Sequence, residues 1–319
     1  MTFGRTITNK MSKAKNDLRI LSLDGGGAKG VYTLGILKEI EALTKRKICE
    51  EFDLIYGTST GAIIAALLGL GKTVEEVTKN YFDIVPNVMG ENTRGGRSRA
   101  LKEQADKLLG DKKFDAFVTD VGIVAIHYED TKPMIFKSSV KQAHGTKSTF
   151  KPGFGCTISE AIRASSAAYP FFERVKVITE NQGEPELIDG GFIANNPTLL
   201  AIADGVKAYQ IEKKDLKVLS LGVGVYKQPK PGLKHRILFW FDAPKLAVKV
   251  MEASTNTIEQ LRLILFPDIS CVRINDSFSQ EEYATDLLES DIDKLKKLNA
   301  LGRRSFSKYE QELKEKFGW

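Results

Sequence analysis

The sequence predicts an α/β fold in which a largely parallel central sheet carries helices on both faces. Two observations lead to this prediction. From residue 18 to residue 222, short apolar strands alternate with helical patterns, which is typical of a parallel sheet covered by crossover helices. Two glycine-rich turns, at 24–30 and 57–61, each follow a strand and precede a helix. The length of 319 residues fits one such domain with a helical C-terminal extension.

Hydrophobic periodicity predicts the first strands and helices. Residues 18–23 (LRILSL) form a short apolar strand, and a helix over about 30–45 follows the first glycine turn. The second strand is predicted at 52–56. It leads through the second glycine turn into an apolar helix over 59–70, which is expected to be buried.

Two capping boxes predict where later helices begin. Residues 73–76 (TVEE) and 157–160 (TISE) each place a threonine three residues before a glutamate, so that each side chain can bond a free N–H group of the first turn. Between them, residues 87–99 (NVMGENTRGGRSR) are interpreted as a flexible basic loop. Residues 121–128 and 133–136 are predicted to be strands.

The chain is expected to have three parts. These are a basic N-terminal segment (1–17), the α/β domain (18–222) and a mostly helical C-terminal region (223–319) that packs on the same domain. The further elements predicted are, in order, strands near 174–179 and 186–188, a helix over 198–210, a strand at 218–222, apolar helical runs within 235–266, a strand at 269–274 and amphipathic helices within 282–317.

Composition limits the class of protein. The net charge of +6 favours anionic partners, such as phospholipid headgroups or nucleotides, without choosing among them. The N-terminus lacks the apolar core of a secretory signal, and the longest apolar run, 62–70, is too short to span a bilayer. Three scattered cysteines and three histidines show no metal-ligand spacing, so we expect a cytoplasmic protein without a metal or another cofactor.

One serine lies between two glycines in the second turn. Residues 57–61 (GTSTG) place Ser59 between Gly57 and Gly61, after a predicted strand and before a predicted helix. A sharp turn of this kind needs small neighbours, and it exposes the serine hydroxyl above the sheet at a helix N-terminus. Ser59 is therefore a candidate nucleophile. The alternative is a serine that only caps the helix.

The first turn, residues 24–30 (DGGGAKG), can hold an anion. Consecutive glycines allow several backbone N–H groups to point at one place, as in the oxyanion hole of an acyl hydrolase. The residues assigned to this motif are Asp24, Gly25, Gly26, Gly27, Lys29 and Gly30. The same spacing also satisfies the G-x-G-x-x-G pattern of a dinucleotide-binding protein. However, the next strand ends in the serine turn and not in the acidic residue that a ribose requires.

A base is needed to accept the proton of Ser59. His127 lies in an apolar strand, His144 lies in a polar loop, and His235 stands between two cations that would oppose an imidazolium. Asp189 ends an apolar strand and precedes two glycines, Gly190 and Gly191. Burial in a dry cleft would raise the pKa of its carboxyl group, so Asp189 is the better candidate base.

Together, these segments resemble the signature blocks of the patatin-like phospholipases. The three blocks are 24–30, 57–61 and 189–191, in that order, and residues 164–172 (ASSAAYPFF) are similar to a fourth. The resemblance covers roughly residues 18–222 and implies a patatin-like fold. It departs at Lys29, where the family block usually has arginine, so a bidentate role is not expected for that side chain.

The resemblance implies a Ser–Asp dyad that hydrolyses fatty-acyl esters of phospholipids without a metal. Ser59 would be the nucleophile and Asp189 the base, and the backbone of Gly25, Gly26 and Gly27 would form the oxyanion hole. The implied partner is a membrane phospholipid, reached from the cytoplasm at the inner face of the membrane. Nucleic acid is not expected as a partner.

The chain is also similar to bacterial patatin-like effectors of anti-phage signalling, which cyclic nucleotides activate. This resemblance implies a cyclic di- or trinucleotide activator and allows for an oligomer. The residues leave two other functions open. One is a dinucleotide-binding protein that uses the glycine loop, and the other is a lipid-binding module without catalysis.

Overall fold

The structure is a computed structural model that describes residues 17–145, 147–228 and 242–319. The predicted N-terminal segment, except Asp17, lies outside the described residues, as does His235. The strands are β1 (Leu18–Leu23), β2 (Leu54–Thr58), β3 (Asp120–His127), β4 (Lys132–Lys137), β5 (Val175–Lys176), β6 (Glu186–Asp189), β7 (Leu216–Leu221), β8 (Val225–Tyr226), β9 (Ser270–Ile274) and β10 (Ser277–Phe278).

Helices flank the sheet throughout the described residues. They are α1 (Gly30–Thr44), α2 (Ile48–Glu51), α3 (Thr60–Gly69), α4 (Val74–Met89), α5 (Arg94–Leu109), α6 (Ile158–Ser165), α7 (Gly191–Ala194), α8 (Thr198–Ala203), α9 (Asp242–Leu265) and α10 (Ile292–Phe317). Short 3-10 turns connect several of them, and one such turn, Gly27–Lys29, leads directly into α1.

The central sheet has the strand order β5-β6-β3-β2-β1-β7-β9, and β4 pairs with β3 beside this path. The strands β3, β2, β1, β7 and β9 are mutually parallel, whereas β4, β5 and β6 join in antiparallel pairs. β8 and β10 form a separate two-stranded sheet. The largely parallel sheet confirms the predicted α/β class.

Alternating side chains of the strands feed two hydrophobic cores. In β1, Leu21 and Leu23 join a core with α1, α3, α4 and α10, whereas Leu18 and Ile20 join a core on the other face with α7 and α8. All six residues of β1 are buried, as expected for a central parallel strand covered on both faces. The sheet is therefore sandwiched between two helical layers.

Strand register places the three predicted site segments together. β1 and β2 are parallel with Leu23 opposite Gly57, so the turns that follow them leave the same edge side by side. β3 continues past the end of β2, where Thr58 pairs with Val124. The next residue, Ala125, pairs with Asp189 of β6. Asp189 is thus brought level with Ser59.

The prediction of a flexible basic loop over 87–99 is wrong. α4 continues to Met89 and α5 begins at Arg94, because the Thr93 hydroxyl caps α5 by accepting the Gly96 N–H at 2.9 Å. The guanidinium of Arg97 is buried and donates to the carbonyl oxygens of Phe171 and Glu91 at 2.9 and 2.7 Å. Arg97 therefore connects segments of the fold and is not available to an outside ligand.

Other predicted elements differ in extent. The strand expected near 174–179 contains only Val175–Lys176, and the helix expected over 198–210 ends at Ala203 and continues as a π-helical turn, Asp204–Ala208. The helices expected within 282–317 begin at Ile292. Both predicted capping boxes are present, and α4 and α6 begin directly after them.

Candidate active site

Ser59 lies on a sharp turn between β2 and α3. Its backbone has φ 53° and ψ −119°, a left-handed conformation that a residue other than glycine rarely adopts. The side chain makes no capping hydrogen bond, which excludes the alternative that Ser59 only caps α3. The Ser59 N–H donates instead to Ser165 Oγ at 2.9 Å. Ser59 lines the cavity beside this turn, near Asp189.

The two glycines of this turn are required by close backbone approach. A Cβ atom on Gly57 would collide with the carbonyl of Gly61, and a Cβ atom on Gly61 would collide with the carbonyl of Leu23 at the end of β1. The serine turn and the glycine turn are therefore pressed against each other. Gly190 is similarly close to the carbonyl of Val124 on β3, which brings the Asp189 segment to the same place.

Asp189 is fully buried and has one unused carboxylate oxygen. Its Oδ1 accepts the Gly191 N–H at 2.7 Å, whereas Oδ2 has no hydrogen-bond partner within the part of the chain that the structure describes. Burial raises the pKa of Asp189 to about 7, although the Gly191 N–H and the nearby Ser59 hydroxyl act in the opposite direction. At neutral pH this carboxylate can exchange a proton.

The glycine turn is held at both ends. Both carboxylate oxygens of Asp24 accept from the Arg273 guanidinium, at 2.8 and 2.5 Å. Burial raises the pKa of Asp24, and Arg273 opposes that shift. At the other end, the Ala28 N–H donates to the carbonyl of Leu287 at 3.0 Å. Arg273 belongs to β9 and has no signal in the sequence motifs.

The three predicted oxyanion donors are not equivalent. The Gly25 N–H already donates to the carbonyl of Asn195 at 2.9 Å, so it is not available while that bond exists. For Gly26 and Gly27, no acceptor for the backbone N–H is found among the described residues. In this conformation the possible oxyanion donors are therefore Gly26 and Gly27.

Lys29 and Gly30 begin α1 next to the turn. Lys29 is half-buried in the wall of the cavity, and burial lowers its pKa, while the carboxylates of Glu252 and Asp286 act in the opposite direction. Gly30 is required because a Cβ atom there would meet the hydroxyl groups of Tyr81 and Thr60.

The glycine turn, the serine turn and Asp189 line a cavity of about 400 Å³. One part of its wall is apolar and is contributed mainly by α3, α4 and α5. The apolar side chains include Ile63, Ile84, Val88, Met89, Leu101 and Phe172. Another part is contributed by α9, through side chains that include Met251, Glu252 and Thr255. The cavity can thus hold an acyl chain on one side and polar groups on the other.

Asn195 connects α9 to the glycine turn. Its amide Nδ2 donates to the carbonyl of Gly25 at 3.2 Å and to Thr255 Oγ1 at 2.8 Å, and its backbone N–H donates to Ser254 Oγ at 3.4 Å. Asn195 and Arg273 were not predicted as site residues, and Ser165 lies in the segment 164–172 but was given no role. The Asn195–Asn196–Pro197 run that follows the aspartate block by a few residues was the available signal for Asn195.

The family model described as patatin-like phospholipase matches residues 21–202, more than half of the chain. The chain belongs to the patatin-like phospholipase family. It is 48% identical over 317 residues to a cUMP-AMP-activated phospholipase of Escherichia coli, with 99% of each chain covered. It is 30% identical to a cGAMP-activated phospholipase of Escherichia coli strain TW11681, over 65% of this chain and 62% of that protein.

A more distant similarity extends to a mammalian protein. The calcium-independent phospholipase A2-gamma of Rattus norvegicus is 27% identical over 93% of this chain and 39% of its own length. This patatin-like phospholipase family member is a serine acyl hydrolase, which confirms the predicted class of enzyme and decides against a dinucleotide-binding protein.

Among the described residues, no helix is both long enough and apolar enough to cross a bilayer.

Proposed function

We propose that the protein hydrolyses fatty-acyl esters of phospholipids with Ser59 as nucleophile and Asp189 as general base. The observation that carries this proposal is the unused Oδ2 of a buried Asp189, whose pKa is about 7, beside a serine held in a strained turn. Aspartate with an ordinary pKa is a weak base at neutral pH, whereas this carboxylate matches the pH at which the reaction takes place.

The reaction proceeds in two steps. Asp189 Oδ2 accepts the hydroxyl proton of Ser59 as Oγ attacks the ester carbonyl, and the N–H groups of Gly26 and Gly27 stabilise the oxyanion that develops. The ester bond breaks, the alcohol takes the proton from Asp189, and an acyl-Ser59 intermediate remains. Water then attacks this ester, again with Asp189 as base, and releases the fatty acid. The apolar wall of α3, α4 and α5 holds the acyl chain.

Activation by a cyclic dinucleotide belongs to the same proposal. Support comes from the relative with 48% identity, a cUMP-AMP-activated phospholipase that aligns over 99% of both chains. Further support comes from α9, which forms part of the cavity wall and holds Asn195 against Gly25. We infer a resting state in which this contact keeps the Gly25 N–H on the Asn195 carbonyl and out of the oxyanion hole, so that Gly26 and Gly27 must act without it. The activator would shift α9.

The proposed place of action is the inner face of the cytoplasmic membrane, where phospholipid is the partner. A resting state is needed there, because an unrestrained phospholipase would degrade the membranes of its own cell. An oligomer is compatible with this proposal.

Fatty-acid release from phospholipid vesicles tests the proposed function. Purified protein is incubated with vesicles of phosphatidylethanolamine and phosphatidylglycerol, with no addition, with cUMP-AMP, or with cGAMP. We expect little release without nucleotide and strong release with cUMP-AMP, which disappears in Ser59→Ala. Equal release under all three conditions would contradict activation. No release under any condition, also from soluble esters, would contradict the hydrolase.

A further inference from the structure

A second pocket adjoins the candidate active site. It has a volume of about 310 Å³ and lies between α5, α6 and the segment that leads into β5. Leu101, Ser166 and Phe172 line both this pocket and the larger cavity, so they form a shared wall. A group bound in the second pocket would therefore lie next to a molecule whose acyl chain occupies the first.

Positive charge dominates the second pocket. Its charged side chains are Arg99, Lys102, Arg163, Glu173 and Arg174, four cations and one anion. Lys102 is paired with Asp106 at 2.6 Å, and Arg174 with Glu186 at 3.0 Å. The guanidinium groups of Arg99 and Arg163 form no hydrogen bond and no ion pair within 4 Å with any of the described residues.

Arg163 is the more informative of these two cations. It is half-buried, and desolvation lowers the pKa of its guanidinium, while the carboxylates of Asp106 and Glu160 oppose this shift from a distance. A half-buried guanidinium without protein acceptors has its donors available to a ligand, and its partial desolvation strengthens an interaction with an anion. The planar donor arrangement of arginine matches the oxygens of a phosphate group.

Ser166 gives an independent indication of a ligand. Its side chain is only 7% exposed, and its hydroxyl has no hydrogen-bond partner in the described part of the chain. Buried hydroxyl groups are normally hydrogen-bonded, because an unpaired one costs free energy. Ser166 follows Ser165, whose Oγ accepts the Ser59 N–H. Ser166 lines both the catalytic cavity and the second pocket, and rotation about its Cα–Cβ bond would present the buried hydroxyl to a ligand there.

We propose that Arg99, Arg163 and Ser166 form a binding site for a phosphodiester group beside the catalytic cavity. The two guanidinium groups would neutralise its charge, and Ser166 would donate to one of its oxygens. This inference rests on the proposed function and specifies what the enzyme binds next to its ester site. Two molecules carry this chemistry: the phospholipid substrate, through its headgroup, and the cyclic dinucleotide, through its phosphates.

The test compares Arg163→Gln and Arg99→Gln with Lys107→Gln. Lys107 is a matched control because it is an exposed cation of the same helix as Arg99 and lines neither pocket. Two substrates are used at saturating cUMP-AMP: dihexanoyl-phosphatidylglycerol below its micelle concentration, and p-nitrophenyl butyrate, which has no phosphate. Calorimetry of the Ser59→Ala protein, with and without each substitution, measures the affinity for cUMP-AMP.

If the site binds the headgroup, the arginine variants lower kcat/KM for the phospholipid relative to the butyrate ester by roughly tenfold or more, mainly through KM. Their affinity for cUMP-AMP then equals that of the control. If the site binds the nucleotide, the affinity of the arginine variants for cUMP-AMP falls by a similar factor. In either case Arg163→Lys keeps the positive charge but not the planar donors, so it should retain part of the binding that Arg163→Gln loses.

The proposal is overturned if neither the substrate ratio nor the nucleotide affinity changes in the double variant Arg99→Gln/Arg163→Gln. An equal loss on both substrates with unchanged nucleotide affinity would also overturn it, because that pattern indicates general damage. Thermal unfolding identifies a variant that does not fold, and the exposed Arg99→Gln then carries the test alone. Since calorimetry of Ser59→Ala needs no turnover, it distinguishes failure of this site from failure of the proposed hydrolase.

Discussion

At the scale of single residues, the proposed chemistry depends on the protonation state of Asp189. Below pH 7 its carboxyl group is increasingly protonated and cannot accept the Ser59 proton, since burial raises its pKa to about 7. We therefore expect kcat/KM for a soluble ester to fall about tenfold per pH unit on the acidic side of pH 7. A stopped assay over pH 5–9 measures this. A limb near pH 4, typical of an exposed carboxylate, would contradict the raised pKa.

Gly26 tests the oxyanion hole through its neighbour Val223. A Cβ atom at Gly26 would meet the Val223 side chain at 2.5 Å, so in Gly26→Ala either the turn or Val223 must shift. We expect turnover to fall by roughly 10²–10³, as on loss of one oxyanion donor, with little change in KM. The double variant Gly26→Ala/Val223→Ala makes room for the new methyl group and should recover part of kcat. A raised KM with normal turnover would indicate substrate binding instead.

The Asp24–Arg273 pair should matter for stability as well as for the glycine turn. Both side chains are largely buried, at 2% and 13% exposure, and Arg273→Met would leave the Asp24 carboxylate without its partner. We expect a loss of about 3–5 kcal/mol in the free energy of unfolding, measured with urea. Asp24→Asn/Arg273→Met should lose less than the single Arg273→Met. Additive losses would show that the pair is not coupled.

At the scale of elements, α9 is the helix most able to control the site. One of its faces lines the cavity and holds Asn195 through Thr255, whereas the opposite face exposes Leu246, Val250, Leu261 and Ile264. Thr255→Val removes the acceptor for Asn195 Nδ2 and should weaken the resting state. We expect roughly a 2–10-fold rise in fatty-acid release without nucleotide. Exposed Thr257→Val, on the same helix, serves as the control. A fall in activity with and without nucleotide would contradict the resting contact.

Elements were predictable where the signal is local. The capping boxes gave the starts of α4 and α6, because a cap involves residues only three positions apart. The segment 87–99 misled because its glycines and asparagines are typical of loops. Its helix is stabilised by a cap at Thr93 and by the long-range bonds of buried Arg97, neither of which has a periodic pattern. β5 lies at the sheet edge and pairs with β6 over only two residues.

At the scale of the whole molecule, the candidate site was predictable to the extent that it lies in contiguous motifs. The segments containing Ser59 and Asp189 could be proposed from their order and flanking strands, and the register of β2, β3 and β6 brings them level. Arg273 could not be predicted, since it reaches Asp24 across 249 residues of sequence. Nor could the contact of α9 with Asn195, because helix packing decides it. The blocks do not encode which N–H groups are already occupied.

The proposed hydrolysis depends most on Ser59 and Asp189 acting as one unit. Fatty-acid release from phosphatidylglycerol vesicles with cUMP-AMP should be measured for Ser59→Ala, Asp189→Asn and the double variant. We expect each single variant to be near background and the double variant to be little worse, because residues of one catalytic unit are not additive. Substantial release by Asp189→Asn, together with its loss in His144→Ala or His235→Ala, would contradict the dyad and indicate a histidine base.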